Sequence, residues 1–166
     1  DVNSFFQGNV PIFERVLTTI KKHVSEPSVT DMFCGDGAIG LSVAKTGAFL
    51  IESDPSNIKM LKRNAYDSGL KTEVSASPAE KTTENIMSNT PIIFDPPRAG
   101  LHAKLVEATL EVQPPQIIYL SCNPATQARD LKYLLAHYKI DFFAGYNFFP
   151  RTPHIETLVI LSKKDI

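Results

Sequence analysis

One stretch restricts the fold of this chain more than any other. Val29 to Phe33 read as a buried strand, and Cys34-Gly35-Asp36-Gly37-Ala38-Ile39-Gly40 follows at once. The glycines at 35, 37 and 40 give G-x-G-x-x-G spacing between a strand and a helix. Gly35 permits a tight turn, Gly37 a close approach of backbone to a ligand, and Gly40 close packing of helix on strand. Ala48 to Glu52 supply the next strand. Its terminal acid is either a ribose acceptor or a solvated carboxylate at a strand end. Such a unit points to a parallel α/β sheet that binds ligands beyond the carboxyl ends of its strands.

The loop also discriminates between nucleotide cofactors. A dinucleotide needs a helix terminus that cradles a pyrophosphate. Asp36 lies inside the loop and Asp31 in the strand before it. Two carboxylates oppose a pyrophosphate and suit a cofactor carrying an amino group and a sulfonium. The residues thus favour S-adenosylmethionine over NAD.

Three more strand ends carry candidate side chains. Thr72 to Ala76 read as a strand, and Ser77 at its end is placed to touch the adenine side of a cofactor before a helix expected through Met87. Pro91 to Phe94 form a short strand ending in Asp95-Pro96-Pro97-Arg98-Ala99-Gly100. The prolines withhold two backbone donors. Asp95 is then a turn carboxylate or a polar group facing a base or a transferred methyl. Arg98 is a surface cation or a ligand for phosphate or a base edge. Ile117 to Leu120 run into Ser121-Cys122-Asn123-Pro124, where Asn123 is suited to N-cap a helix with Pro124 in its first turn. Cys122 is either a small buried hydrophobe or a thiolate favoured by the helix dipole.

The rest of the chain alternates in the same way. Helical spacing marks residues 12–24, 55–69, 101–112 and 124–135, the last with Ala125, Ala128, Leu131, Leu134 and Leu135 inward. Ile140 to Phe143 and Leu158 to Leu161 are two closing strands, giving seven in all. Between them, a connection rich in aromatics and proline holds His154 and Glu156, which could do acid/base work or be structural. At 166 residues the chain is expected to be one domain, 1–166. A net charge of −1 provides no general basic field for nucleic acid. Two cysteines are too few for a disulfide framework or a Cys-rich metal site, and fit a reducing, cytoplasmic setting. No run is long and apolar enough to cross a membrane, so no membrane partner is expected. A start at Asp1 without methionine suggests a fragment or processed form.

With the glycine loop and Glu52, the pattern resembles class I S-adenosylmethionine-dependent methyltransferases, a Rossmann-like fold. The Asp-Pro-Pro-Arg loop, Ser-Cys-Asn-Pro and the terminal His-x-Glu bring it closer to the RNA (uracil-5-)-methyltransferase family, which makes 5-methyluridine in tRNA or rRNA. The resemblance runs from Phe6 to about Leu161. It implies a mainly parallel seven-stranded sheet with helices on both faces and an antiparallel C-terminal pair. It also implies cofactor contacts at Gln7, Asp31, Gly35, Gly37, Glu52 and Asp95, a nucleophile at Cys122 and a base at Glu156. Arg98 and His154 are expected to bind substrate. Arg151 and Ala76-Ser77 depart from the family's usual residues at their positions. The family's N-terminal RNA-binding barrel and iron–sulfur cluster do not fit in this chain, which is expected to hold no metal and to be a monomer.

The implied chemistry accounts for these residue types. Carbon 5 of uracil is a poor nucleophile until a thiolate adds to carbon 6. After methyl transfer a carboxylate must remove the carbon 5 proton before the thiol is eliminated. A base within folded RNA must be splayed out to reach such a site, where Phe148 and Phe149 could stack on it unless they are core. Two other readings compete: an amino-methyltransferase acting on a nucleic-acid base, and an inert cofactor-binding module.

Overall fold

The computed structural model describes residues 9–152 and 154–165. Gln7 lies outside them. Five parallel strands come first in the chain: β1 (Ser28–Asp31), β2 (Gly47–Glu52), β3 (Lys71–Ala76), β4 (Ile92–Phe94) and β5 (Gln116–Ser121). The last two, β6 (Tyr138–Tyr146) and β7 (Glu156–Lys163), are antiparallel to each other, and β7 is antiparallel to β5. The sheet order is β3-β2-β1-β4-β5-β7-β6. The reversal between β3-β2-β1 and β4-β5 creates a crevice above the ends of β1 and β4, where open α/β sheets bind ligands.

Both faces of the sheet are covered, and strand periodicity divides the core between them. Ile118 and Leu120 of β5 join Leu158 and Ile160 of β7 on one face. That face is closed by α1 (Val10–His23), α2 (Ala38–Val43) and α3 (Pro55–Asp67). Ile117, Tyr119, Val159 and Leu161 point the other way, under α4 (Ala103–Val112) and α5 (Pro124–Leu134). All six β5 residues are buried, which is why this strand reads as a continuous apolar run. The helices start as their sequences dictate. Asn9, Asp54 and Asn123 each accept a hydrogen bond from their helix's first turn, and each helix has proline in that turn.

Two expectations fail. The helix expected between Ser77 and Met87 is instead two 3₁₀ turns, Ala79–Lys81 and Thr83–Asn85. Thr82 interrupts it at φ −129°, and its hydroxyl donates to the Ala79 carbonyl at 3.1 Å, competing with the backbone pattern. In α5, Ala125 and Ala128 face solvent, while Gln127 and Asp130 are buried with Leu134. Among the described residues no helix is long and apolar enough to cross a membrane.

Candidate active site

A cleft of about 690 Å³ opens over the carboxyl ends of the parallel strands. Its walls come from separate parts of the chain. Phe33 to Asp36 follow β1, Glu52 to Asp54 end β2, and Asp95 to Arg98 follow β4. Cys122 follows β5, Glu156 begins β7, and Val10 and Phe13 of α1 close one side.

The first half of the cleft is built on the glycine loop. Gly37 donates to the Cys34 carbonyl at 2.7 Å, and the chain turns there at φ +91°. A Cβ on Gly37 would lie 2.7 Å from Leu41 Cδ1. Gly37 is buried and absent from the cleft wall. The turn and the packing each require glycine here. Gly40 packs on β1 as expected, since a Cβ there would lie 2.9 Å from both Asp31 Oδ2 and Leu50 Cδ2. Glu52 cinches the loop: Oε2 accepts from Gly35 N at 2.7 Å, and Oε1 accepts from the amides of Ser53 (2.7 Å) and Asp54 (2.6 Å). Each carboxylate oxygen offers two lone pairs, so Oε2 retains capacity for a ligand hydroxyl.

Asp31 lies beneath this loop rather than in the cleft wall. It is fully buried, and Oδ2 accepts from Gly40 N at 2.9 Å. Oδ1 has no hydrogen-bond partner among the described residues. Burial pushes its pKa up to about 7, against the amides of Gly40 and Phe33, which favour the charge.

The second half is built on the β5–β7 pair. Ser121 Oγ accepts from Asn123 N at 3.1 Å, which wraps the chain tightly around Cys122 before α5 begins. Buried Gln127 donates to the carbonyls of Tyr119 (3.0 Å) and Thr157 (3.2 Å) and accepts from Thr157 Oγ1 (2.8 Å). Buried Asp130 Oδ2 accepts from Leu101 N (2.8 Å) and from Tyr119 Oη (2.7 Å). The two inward polar residues of α5 thus tie it to both strands and to the loop after β4. Their signal in sequence was spacing: positions 127, 130 and 134 share one helical face.

Electrostatics in this half centre on three acids and one cation. Burial holds Asp95 well above the ordinary carboxylate value, and the charges of Glu156 and Asp31 add to this. Burial also raises Glu156, with Arg98 working against it. The Cys122 thiol is raised by burial and by Glu156, lowered by Arg98, and raised further by Asp95. Burial and the two neighbouring carboxyl groups thus oppose the thiolate that a helix dipole would favour at this position, and Arg98 works for it.

Of the residues singled out by sequence, Gly35, Glu52, Asp95, Arg98, Cys122 and Glu156 meet in one cleft. His154 is exposed and outside its wall, but its Nδ1 lies 3.1 Å from Arg98 Nη2. Ser77 follows β3 and lies outside the wall, where Ser53, Asp54 and Asn57 stand nearer the β2 end. Those three were not expected. Asp54 was legible only as a helix cap. Phe148 is core and Phe149 is exposed. Among the described residues no group of three or more His, Cys, Asp or Glu is placed to hold a metal ion.

Comparisons with known proteins bear on the fold and the family. Residues 79–164, just over half of the chain, match the family model described as tRNA (uracil-5-)-methyltransferase. A tRNA (uracil(54)-C(5))-methyltransferase of Pyrococcus abyssi is 36% identical over 162 residues, covering 96% of this chain and 39% of that protein. An uncharacterized RNA methyltransferase of Parasynechococcus marenigrum is also 36% identical, over 96% of this chain and 37% of its own length. The chain thus spans about two-fifths of the length of these relatives. The crystal structure of the Pyrococcus abyssi tRNA (uracil-54, C5)-methyltransferase with S-adenosyl-L-homocysteine superposes with a TM-score of 0.84 at 33% identity, over 96% of this chain and 40% of that one. An rRNA methylase of Streptococcus thermophilus shares the fold at a TM-score of 0.68 and 13% identity, over 91% of this chain and 95% of its own. On these grounds the chain belongs to the tRNA (uracil-5-)-methyltransferase family.

Proposed function

We propose that this chain is the catalytic part of an enzyme that methylates carbon 5 of a uridine in RNA, with tRNA the first class to test. The observation that carries the reading is the shared cleft, which sets Cys122, Glu156, Asp95 and Arg98 beside the Glu52-cinched glycine loop.

The residues of the first half fit S-adenosylmethionine. Carboxylates at Asp36, Glu52 and Asp54 suit an amino group and ribose hydroxyls, and Val10, Phe13, Phe33 and Ile39 supply apolar wall. A cleft of this size suits a small cofactor. When bound, S-adenosylmethionine supplies an electrophilic methyl group.

The residues of the second half would act on the base. Cys122 Sγ adds to carbon 6 of the uracil, and the ring electrons pass to carbon 5 and the carbon 4 oxygen. Arg98 favours the thiolate and steadies the negative charge on the ring. Burial favours the protonated form of Asp95, which in that form would donate a hydrogen bond to a pyrimidine acceptor. Glu156 takes the carbon 5 proton after methylation, and the C6–S bond then breaks to return the thiolate. His154 reaches the substrate edge through Arg98.

The test is covalent trapping with RNA containing 5-fluorouracil, in the presence of S-adenosylmethionine. Fluorine at carbon 5 leaves no proton to remove. The expected result is a denaturation-resistant protein–RNA adduct with wild type and none with Cys122→Ala. Methylation of an adenine or guanine amino group without any adduct would overturn the reading.

A further inference from the structure

We infer that Asn123 and Thr126 are positioning residues that hold Arg98 against Cys122, so that the helix starting after the thiol also fixes its cation. The catalytic half of this inference rests on the reading of Cys122 as a nucleophile.

Asn123 Nδ2 donates to the Arg98 carbonyl at 2.9 Å, across 25 residues of chain. Thr126 Oγ1 lies 3.2 Å from the same carbonyl and 3.1 Å from the Asn123 carbonyl, and its one proton is shared between them. Meanwhile Asn123 Oδ1 accepts from Ala125 N at 3.2 Å and caps α5. Serine or aspartate would cap this helix about as well. The side-chain amide accepts from its own helix with one atom and donates to a second loop with another, whereas a serine would have to serve both partners through a single oxygen on a shorter stem. The residue type therefore exceeds what helix capping requires.

The loop needs such an anchor. Pro96 and Pro97 have no N–H, so the segment before Arg98 cannot fasten itself by those donors. Its far end is held by the same helix, where Arg129 Nη2 donates to the Ala99 carbonyl at 3.0 Å. α5 thus grips the loop at Arg98 and again at its neighbour Ala99.

Burial of the thiol, Glu156 from β7 and Asp95 from the loop after β4 oppose the Cys122 thiolate, while Arg98 from that loop and the backbone N–H of Cys122 favour it. The first turn of α5 adds no acid. Arg98 is the charged side chain among these that favours the thiolate, and Coulomb attraction falls as the separation grows. Loosening its backbone should therefore raise the thiol's pKa without touching the thiol.

The experiment compares Asn123→Ser, Thr126→Val, their double variant and Arg98→Met. Alkylation of Cys122 is followed against pH by peptide mass spectrometry. Thermal unfolding, S-adenosyl-L-homocysteine binding and fluorouracil trapping are measured on the same samples. In the double variant, the alkylation profile is expected to move to higher pH by at least half of the Arg98→Met displacement. Trapping should slow by about tenfold or more while homocysteine-ligand binding holds. Thr126→Val alone should move the profile the same way by less. An unmoved double-variant profile beside a displaced Arg98→Met profile overturns the inference. So does an unmoved Arg98→Met profile, or a displacement found only where folding is lost. Profiles that move as expected without any wild-type adduct would overturn the uracil chemistry and leave the positioning role standing.

Discussion

Ser121 and Thr157 form the last rung of the β5–β7 ladder. The Thr157 hydroxyl donates to Gln127 Oε1 at 2.8 Å and lies 3.3 Å from the Ser121 carbonyl. The next residue outward on each strand is Cys122 and Glu156. An antiparallel pair that ends there delivers a thiol and a carboxylate to one level of the sheet, from positions 34 residues apart. The proposed nucleophile and base are thus held by backbone register rather than by flexible loops.

That placement makes Glu156→Gln informative. If Glu156 removes the carbon 5 proton, the variant should still add Cys122 to uracil but fail to release it. A denaturation-resistant adduct on ordinary, unfluorinated RNA is expected, visible on a denaturing gel. Turnover should fall by about 10²–10⁴-fold. In wild type the carboxylate acts when ionised, and burial raises its pKa. Single-turnover rates should therefore decline as pH drops through a value above the ordinary carboxylate range.

Glu52→Gln tests the loop it cinches. Both carboxylate oxygens accept from backbone amides, so an amide NH₂ in place of either one faces a donor. Affinity for S-adenosyl-L-homocysteine, read by calorimetry, should fall by about 10–100-fold through the loss of charge-assisted hydrogen bonds. Unchanged affinity would remove Glu52 from the cofactor site.

Asp31 should impose a pH dependence on folding stability. Its folded pKa of about 7 lies above the ordinary aspartate value of 3.8, so the folded state binds the proton more tightly than the unfolded chain. Its contribution is fully present below the unfolded value and is lost as pH rises through 7. A shift of this size amounts to roughly 4 kcal/mol. Urea unfolding should show wild type losing more stability than Asp31→Asn between pH 4 and pH 8. Equal pH slopes would show that Asp31 does not carry the effect.

Tyr119→Phe probes the anchor of the Arg98 loop. Tyr119 is wholly buried, and its hydroxyl donates to Asp130, itself only 2% exposed. The variant leaves Asp130 with the Leu101 amide and Arg129 as partners. Denaturant unfolding should show a loss of about 1–3 kcal/mol with an unchanged m-value.

Local chemistry written along the chain determined the alternation of strands and helices, the caps at Asn9, Asp54 and Asn123, and the glycine turn. Each depends on residues within a few positions of one another, so spacing reveals it. Spacing also marked Glu52, Asp95, Arg98, Cys122 and Glu156, because strand ends in a parallel sheet converge on one edge. Local pattern failed where a side chain answers to a distant partner. Helical periodicity put Ala125 and Ala128 inside, but Gln127 and Asp130 are buried because β5, β7 and the loop after β4 satisfy their polar atoms. The segment 79–87 lost its helix to a threonine hydroxyl. Tertiary structure alone decided that Asp31 lies beneath the cleft, that His154 meets Arg98, and that burial opposes the Cys122 thiolate. Burial and electric field at a residue are set by every element packed around it, and no stretch of sequence holds that sum.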